Sequence, residues 1–229
     1  IEDAPNAYQL PPIKGEVEFK NVHFGYEPNQ HILNGVSFKA DIGDSIAIVG
    51  PTGAGKTTIV NLISRFYNID EGQVLIDGHS VMDVTLNSLR SQMGIMLQDS
   101  FVFSGTIEEN IRYGRLDATE AEVINAAKML HADEFISKLP MGYKTTVNER
   151  GGGLSQGQKQ LLAFARTLLS DPKILVLDEA TSSIDTSTEQ LVQEGINLLL
   201  KGRTSFIIAH RLSTIKDCTR IMYIDGGNI

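Results

Sequence analysis

A run of small residues ends in a lysine and a threonine at Gly50-Pro51-Thr52-Gly53-Ala54-Gly55-Lys56-Thr57, and Thr58 follows it. This G-x-x-x-x-G-K-T spacing comes after the apolar run Ser45 to Val49 and before a predicted helix from Thr58 to Arg65. Small residues let backbone N–H groups curl around phosphate oxygens, and a helix N-terminus adds a positive dipole end. Lys56 can reach the terminal phosphates, and Thr57 can offer its hydroxyl to Mg²⁺. A strand, loop and helix in this order predict a nucleotide site rather than a plain glycine-rich turn.

A second motif, Ile174-Leu175-Val176-Leu177-Asp178-Glu179, places two carboxylates at the end of an apolar run. Beside a phosphate loop, Asp178 is expected to hold Mg²⁺, either directly or through water. Glu179 is expected to polarise the attacking water as a general base. Structural or surface carboxylates are the alternative for an isolated Asp-Glu pair. The combination with the loop favours hydrolysis of the nucleotide.

The pentapeptide Leu154-Ser155-Gln156-Gly157-Gln158 lies between those two motifs and supports two interpretations. Ser155 and Gln158 have the S-x-x-Q spacing of a capping box, and an amphipathic helical pattern follows them. Gly157 in the first turn costs about 0.5–1 kcal/mol of helix propensity relative to Ala. That cost is reasonable where phosphate must approach the backbone. The residues alone therefore leave a helix cap and an anion site equally open.

Apolar runs that each lead into a polar residue or a glycine predict the strands of a parallel sheet. The runs are Ser45 to Val49, Met93 to Leu97, Ile174 to Leu177 and Ser205 to Ala209. Short continuous runs of this kind are typical of strands that are buried on both faces. The residues that follow the runs are Gly50, Gln98, Asp178 and His210. Since ligands gather at the carboxyl ends of parallel strands, these residues are expected to converge on one site.

The remaining patterns complete the prediction of an α/β fold. Val17 to Lys20, Val36 to Lys39 and Gln73 to Asp77 resemble half-exposed strands and predict an N-terminal antiparallel β layer. Thr106 to Ser170 is helical in character, with a capping box at Thr106 and Glu109 and helical spacing from Asp117 to His131. We expect a mostly parallel core from residues 15–99 and 171–229, a helical subdomain inserted over about 100–170, and a linker or extended arm over 1–14.

Composition restricts the classes of partner. The formal net charge is −8 and the sequence pI is near 5.1, so no broad cationic field is available for nucleic acid. No apolar run reaches the roughly 20 residues that cross a bilayer, so no insertion of this chain into a membrane is expected. A lone Cys218 fits ordinary packing in a reducing compartment. The proline-containing start, and a strand-like Tyr223 to Ile229 that enters a shortened hairpin, predict a piece of a longer polypeptide.

Taken in order, these motifs resemble those of the nucleotide-binding domains of ABC transporters. The matching residues are Gly50 to Thr57, Gln98, Leu154 to Gln158, Ile174 to Glu179, Ser182-Ser183-Ile184-Asp185 and His210. The resemblance runs from about Val17 to Ile229 and implies a P-loop NTPase fold with a RecA-like core. Phe24-Gly25-Tyr26 and Gly105 to Ile111 make exporters, of the bacterial multidrug half-transporter kind, the most similar branch.

The resemblance implies further roles. Tyr26 would stack on the adenine of ATP, Gln98 would sense Mg²⁺ and the membrane domain, and His210 would contact the terminal phosphate. The phosphate of an ATP held by a second nucleotide-binding domain would be bound by Ser155, Gly157 and Gln158. Asp185 would link the two sites of the dimer, and Glu149 and Arg150 would contact the membrane domains.

These roles together describe an ATPase engine. By this resemblance, ATP would close a head-to-tail dimer of two such domains, hydrolysis would reopen it, and covalently attached membrane domains would switch access. The engine would lie at the cytoplasmic face of the cell membrane. Gln156 occupies a position where the family usually has glycine. A heterodimer with unequal sites is therefore an alternative to a homodimer.

Two other functions remain as alternatives. One is the ATPase subunit of an importer, and the other is a regulatory module that binds ATP but hydrolyses it poorly. A DNA-repair or chromosome ATPase is disfavoured, because no heptad array separates Gln98 from Leu154.

Overall fold

Strands and helices alternate along the chain, which the computed structural model describes at residues 1–27, 30–96, 101–148, 151–178 and 186–229. In chain order the strands are β1 (Val17–Phe24), β2 (Leu33–Ala40), β3 (Ser45–Val49), β4 (Glu71–Ile76), β5 (His79–Ser80), β6 (Met93–Met96), β7 (Gly105–Thr106), β8 (Thr146–Val147), β9 (Ile174–Asp178), β10 (Thr204–Ile208) and β11 (Arg220–Tyr223). The helices are α1 (Lys56–Ile63), α2 (Leu86–Arg90), α3 (Ile107–Arg112), α4 (Glu120–Met129), α5 (Ala132–Ile136), α6 (Gln156–Ser170), α7 (Thr186–Leu200) and α8 (Leu212–Lys216). One compact unit comprises Ile1–Ile95, Pro172–Glu179 and Gly202–Ile229, and a second comprises Met96–Asp171 and Ala180–Lys201.

The first unit is built on a sheet in the order β11-β3-β10-β9-β6. Strand β10 pairs in parallel with β3 and β9, and β11 pairs in parallel with β3. All five residues of β10 are buried, as are the first four of β3 and of β9. This burial is why the strands are continuous apolar runs. The predicted parallel sheet is confirmed, with β10 beginning one residue earlier than expected.

A second sheet in the same unit has the order β2-β1-β4-β5, and its paired strands are antiparallel. Alternate residues of β1 are buried, which matches a strand with one face on the core. The rings of Phe19 and Phe38 stack with their centroids 4.6 Å apart. Phe38 also contacts Phe206 of the parallel sheet, at 6.1 Å between centroids. The predicted antiparallel layer is therefore present and packs on the parallel core.

The first fourteen residues lie along the surface of the first unit. Leu10 and Ile13 are buried in its core. The carboxylate of Asp77 accepts hydrogen bonds from the backbone N–H groups of Lys14, Gly15 and Glu16. The segment contains a turn closed by the hydrogen bond from Ala7 to Ala4, and its buried side chains hold it against the unit.

Helix α1 begins at Lys56 and ends at Ile63, two residues earlier at each end than the sequence predicted. Gly55 is the N-cap, with a φ of 108°. Arg65 has a φ of 48°, in the left-handed region, which a right-handed helix cannot continue through. The helix start is therefore set by the conformation of the loop before it.

The second unit is mainly helical, as predicted, and three of its helices, α3, α4 and α6, begin at capping boxes. Thr106, Thr119 and Ser155 each accept a hydrogen bond from the backbone N–H three residues on, and the Glu or Gln there accepts from the cap residue. These reciprocal bonds satisfy backbone donors that a helix start otherwise leaves without partners. Helix α4 accordingly begins at Glu120, after its cap, rather than at Asp117.

Helix α7 belongs to the second unit, although the sequence-based division assigned residues 171–229 to the core. Gly195 lies in the middle of α7, where glycine weakens a helix. A Cβ at this position would lie 2.8 Å from the ring of Phe164 in α6. Close packing between α6 and α7 thus favours glycine here, and the packing of α7 on α6 accompanies its place in the second unit.

Within the part of the chain that the structure describes, no helix has the length and apolar character needed to span a membrane.

A buried carboxylate connects distant parts of the second unit. Glu108 of α3 is 6% exposed and forms ion pairs with Arg112, one helical turn on, and with Lys144. The hydrogen bond from Lys144 lowers the pKa of Glu108 below its usual value, with a further contribution from Arg112, although burial alone would raise it. A lowered pKa in the folded state means that the ionised carboxylate stabilises the fold.

Replacing this carboxylate tests its contribution. Glu108→Gln is expected to lower the free energy of unfolding by about 1–3 kcal/mol near neutral pH, because two cations lose their partner while Lys144 remains largely solvated. The stabilisation is present above the usual pKa of 4.5 and is lost as the pH falls through the lower pKa of the folded state. Urea denaturation at about pH 7 and about pH 4 should therefore show a difference in the free energy of unfolding between wild type and variant that is smaller at the lower pH.

The control is Glu120→Gln, on the exposed first turn of α4. A gap that widens in acid, or a loss as small as that of the control, would contradict this assignment.

Candidate functional site

The phosphate loop leaves the end of β3 in a conformation that requires glycine. Gly50, Gly53 and Gly55 have φ values of 149°, 80° and 108°. A Cβ on Gly50 would lie 2.0 Å from the carbonyl oxygen of Ile224, and one on Gly55 would lie 2.9 Å from the Cδ2 of Leu33. At Gly53 nothing lies within 4 Å of the same position. Two of the glycines thus permit close packing, and the third leaves open space beside the loop.

The loop leads into a helix start that is suited to an anion. Gly55 caps α1 without any side-chain hydrogen bond. The first backbone N–H groups of a helix have no partner within it, and its dipole is positive at this end. The Nζ of Lys56 donates to the carbonyl oxygens of Gly50 and Pro51, each at 2.7 Å. The positive charge of Lys56 is therefore held directly over the loop.

Asp178 and His210 lie at the same edge of the parallel sheet, where β9 and β10 end. The Nε2 of His210 is 3.9 Å from the Oδ1 of Asp178, which is too long for a hydrogen bond but close enough for an electrostatic interaction. Burial raises the pKa of Asp178, while the charges of His210 and Lys56 act in the opposite direction. The structure thus brings Lys56, Asp178 and His210 together, as the sequence predicted.

The oxygen atoms in this region fit a magnesium ion. Mg²⁺ prefers carboxylate, hydroxyl and water oxygens to nitrogen or sulfur. Asp178 offers a carboxylate whose side chain is 15% exposed, and Thr57 is exposed at the start of α1. A nearby cation stabilises the ionised form of a partly buried carboxylate. Both residues therefore suit the metal role that was expected of them.

Tyr26 follows β1 and lies close to α1. Tyr26 is 46% exposed, and its ring packs edge to face with Phe24 and Tyr67. Its hydroxyl is 3.1 Å from the Oγ1 of Thr58. Thr58 is among the residues that the sequence predicts to contact the nucleotide. Its side chain is buried and faces Tyr26, so its backbone is the part that remains available for phosphate.

The pentapeptide starts α6 in the second unit. Gln158 donates its backbone N–H to the Oγ of Ser155 at 3.2 Å, and Ser155 donates its own N–H to the Oε1 of Gln158 at 3.0 Å. The cap interpretation is therefore confirmed. Ser155 remains exposed, whereas Gly157 is buried in the first turn. The Oε1 of Gln158 is engaged by this cap, so the side chain is not fully free for a ligand.

Other expected site residues lie outside the described residues. These are Gln98, Glu179 and Asp185, together with Glu149 and Arg150. Conversely, the structure adds residues that the sequence did not single out, namely Ile224 beside Gly50, and Asn61 and Tyr67 beside Tyr26. No local pattern marks these residues, because each contact joins segments that are distant along the chain or depends on the direction of a side chain.

Comparisons with known proteins agree on one family. The sequence model described as ABC transporter matches residues 33–182. An uncharacterized ABC transporter ATP-binding protein of Bacillus subtilis, YknV, is 54% identical over 99% of this chain and 38% of its own length. A fatty acid ABC transporter ATP-binding/permease protein of Mycobacterium bovis is 51% identical over 96% of this chain and 35% of its own length.

A solved structure extends the likeness to the fold. The structure of an ATP-bound bacterial Atm1-family ABC exporter matches all of this chain with a TM-score of 0.91 and 48% identity, over 40% of the exporter chain. The present chain thus spans about two fifths of the length of such relatives.

The two kinds of loop glycine make a matched test. Gly50→Ala is expected to lower the free energy of unfolding by at least about 3 kcal/mol, because the new methyl group would collide with the Ile224 carbonyl. Gly53→Ala adds strain at a positive φ but meets open space, so about 1–2 kcal/mol is expected. Denaturant unfolding of the nucleotide-free protein measures both. Equal losses in the two variants would show that the contact with Ile224 does not fix the loop.

Proposed function

Because the chain belongs to the ABC transporter family and contains its ATPase domain, we propose that it is the ATP-driven engine of an exporter. The observation that carries the proposal is the phosphate loop. Its left-handed glycines, the uncapped start of α1 and the charge of Lys56 occur at the sheet edge where Asp178 and His210 lie. This combination of features suits a nucleoside triphosphate that is bound through its phosphates.

In this proposal the triphosphate of ATP is bound by the loop from Gly50 to Thr57 and by the backbone of Thr58. Lys56 leaves the carbonyl oxygens of Gly50 and Pro51 to contact the terminal phosphates. The exposed ring of Tyr26 stacks on adenine, a contact that fixes the base without reading its hydrogen-bonding edge. The phosphates and the base are thus held by separate parts of the first unit.

Hydrolysis needs a water molecule that is positioned against the terminal phosphate. Glu179, which follows Asp178 in the sequence, acts as the general base, and His210 contacts the terminal phosphate. Mg²⁺, when bound by Thr57, Gln98 and Asp178, would neutralise charge on the phosphate oxygens. The roles proposed for Asp178 and His210 are supported by the distance of 3.9 Å between the Oδ1 of Asp178 and the Nε2 of His210.

A second nucleotide-binding domain completes each site. Ser155, Gly157 and Gln158 lie at the start of α6, and Ser155 is exposed there, so its hydroxyl is accessible to an anion at the positive end of the helix dipole. They bind the terminal phosphate of ATP that is held by the partner, and Asp185 connects the two sites. The partner is a second copy or a related chain, and Gln156 is compatible with both.

The attached part of the polypeptide is a membrane domain of the export type. Support comes from relatives whose names include permease or export and from a solved exporter of similar fold. ATP binding closes the pair of domains, hydrolysis reopens them, and the membrane domains switch access in response. The engine lies at the cytoplasmic face of the cell membrane.

The role of Glu179 gives the direct test of this mechanism. In the full-length protein, Glu179→Gln is expected to reduce steady-state phosphate release by roughly 10²-fold or more while ATP binding is retained, because the amide cannot accept the proton of water. The matched control is Glu120→Gln, on an exposed helix start in the second unit, which should keep wild-type turnover. Phosphate release and calorimetric ATP affinity are measured on the same preparations. Unchanged turnover in Glu179→Gln would remove Glu179 as the base.

A further inference from the structure

Two side chains of helix α1, those of Thr58 and Asn61, form hydrogen bonds with the hydroxyl of Tyr26. We propose that Thr58, assisted by Asn61, is a positioning residue that fixes Tyr26 for stacking on adenine. This inference rests on the proposed function, since it assumes that Tyr26 is the base-stacking residue. It assigns to Thr58 a side-chain role different from the direct nucleotide contact expected from the sequence.

The ring of Tyr26 packs against two other aromatic rings. Its centroid is 4.9 Å from that of Phe24, with an angle of 87° between the ring planes. It is also 4.9 Å from the centroid of Tyr67, with an angle of 85°. Edge-to-face pairs of this kind are favourable and directional. Since Tyr26 is 46% exposed, it keeps surface on which a base can stack.

The hydroxyl of Tyr26 supplies the remaining constraint. It lies 3.1 Å from the Oγ1 of Thr58, and it accepts a longer hydrogen bond of 3.4 Å from the Nδ2 of Asn61. Thr58 is 3% exposed, so its hydroxyl has little access to water, and Tyr26 is the partner it reaches. Loss of this bond would leave a buried hydroxyl poorly satisfied and the exposed ring free to change rotamer.

Thr58 also connects the two halves of the nucleotide site. It directly follows Lys56 and Thr57 in α1, so its backbone belongs to the helix start that receives the phosphates. Its side chain holds the ring that receives the base. A pre-positioned ring saves the entropy of ordering a side chain when the ligand binds. The effect of Thr58 should therefore appear with ligands that carry a base and be absent with phosphate alone.

The experiment compares ATP with inorganic tripolyphosphate, which has the phosphates without the base. Affinities are measured by calorimetry on the full-length protein in EDTA, so that no hydrolysis occurs. Thr58→Val and Tyr26→Phe are each expected to weaken ATP about threefold to tenfold, the value of one hydrogen bond, and to leave tripolyphosphate unchanged. Thr58→Ser keeps the hydroxyl and should bind ATP as the wild type does.

The double variant tests whether the two residues act through one bond. Tyr26→Phe/Thr58→Val should bind ATP no more weakly than the weaker single variant, because the same interaction is already lost.

Three results would overturn the proposal. The first is a double variant whose loss of ATP affinity is the product of the two single losses. The others are equal weakening of ATP and tripolyphosphate, and unchanged ATP affinity in Thr58→Val. If Thr58→Val does not fold, Tyr26→Phe provides the test. Unchanged ATP affinity in Tyr26→Phe would then overturn the proposal, because the ring would stack on adenine without its hydrogen bond to Thr58. A wild type that binds ATP no more tightly than tripolyphosphate would instead reject base stacking, and with it that part of the proposed function.

Discussion

The close approach between Gly50 and the backbone of Ile224 is the constraint on which the nucleotide site depends. Ile224 donates its N–H to the carbonyl of Val49 at 2.9 Å, and its own carbonyl oxygen occupies the space where any side chain at position 50 would begin. This contact fixes the point at which the chain leaves β3. Because α1 starts only six residues later, the position of Gly50 also determines where the helix N-terminus lies. The buried parallel strands hold both in place.

The start of α1 differs from the starts of α3, α4 and α6 in how its backbone N–H groups are satisfied. In the second unit, capping boxes at Thr106, Thr119 and Ser155 satisfy the helix starts with nearby side chains. In the first unit, α1 starts without a side-chain cap, and burial raises the pKa of Asp178. Such features lower the stability of the free protein, because a partly buried charge and unpaired backbone N–H groups lack partners within the fold. A bound ligand of opposite charge would supply those partners. The first unit thus gives up some stability where ATP and a metal would restore it.

Local patterns were sufficient for most of the fold. The run Ser45 to Val49 is strand β3 without change, and the capping boxes at Thr106 and Ser155 occur where their spacing predicts them. These features depend on hydrogen bonds or burial within a few residues, so the sequence carries them directly. The comparisons then confirm the family that the ordered motifs resemble.

Features that depend on distant contacts could not be predicted in the same way. The hydroxyl of Thr58 turns toward Tyr26, which lies 32 residues earlier, and α7 lies in the second unit, where Gly195 packs close to Phe164. Helix α1 also begins earlier than predicted, because the loop ends at Gly55 in a left-handed conformation rather than at a polar cap residue. Each outcome depends on side-chain direction or on a partner that the sequence does not identify.

In the proposed mechanism the loop from Gly50 to Thr57 binds the triphosphate of ATP, and Lys56 changes partners as it does so. A crystal structure of the protein with ATP and Mg²⁺ would show both. The expected result is a triphosphate on the loop, with the Nζ of Lys56 on a phosphate oxygen and no longer on the carbonyl oxygens of Gly50 and Pro51. A triphosphate bound elsewhere, with Lys56 still bonded to both carbonyl groups, would contradict it.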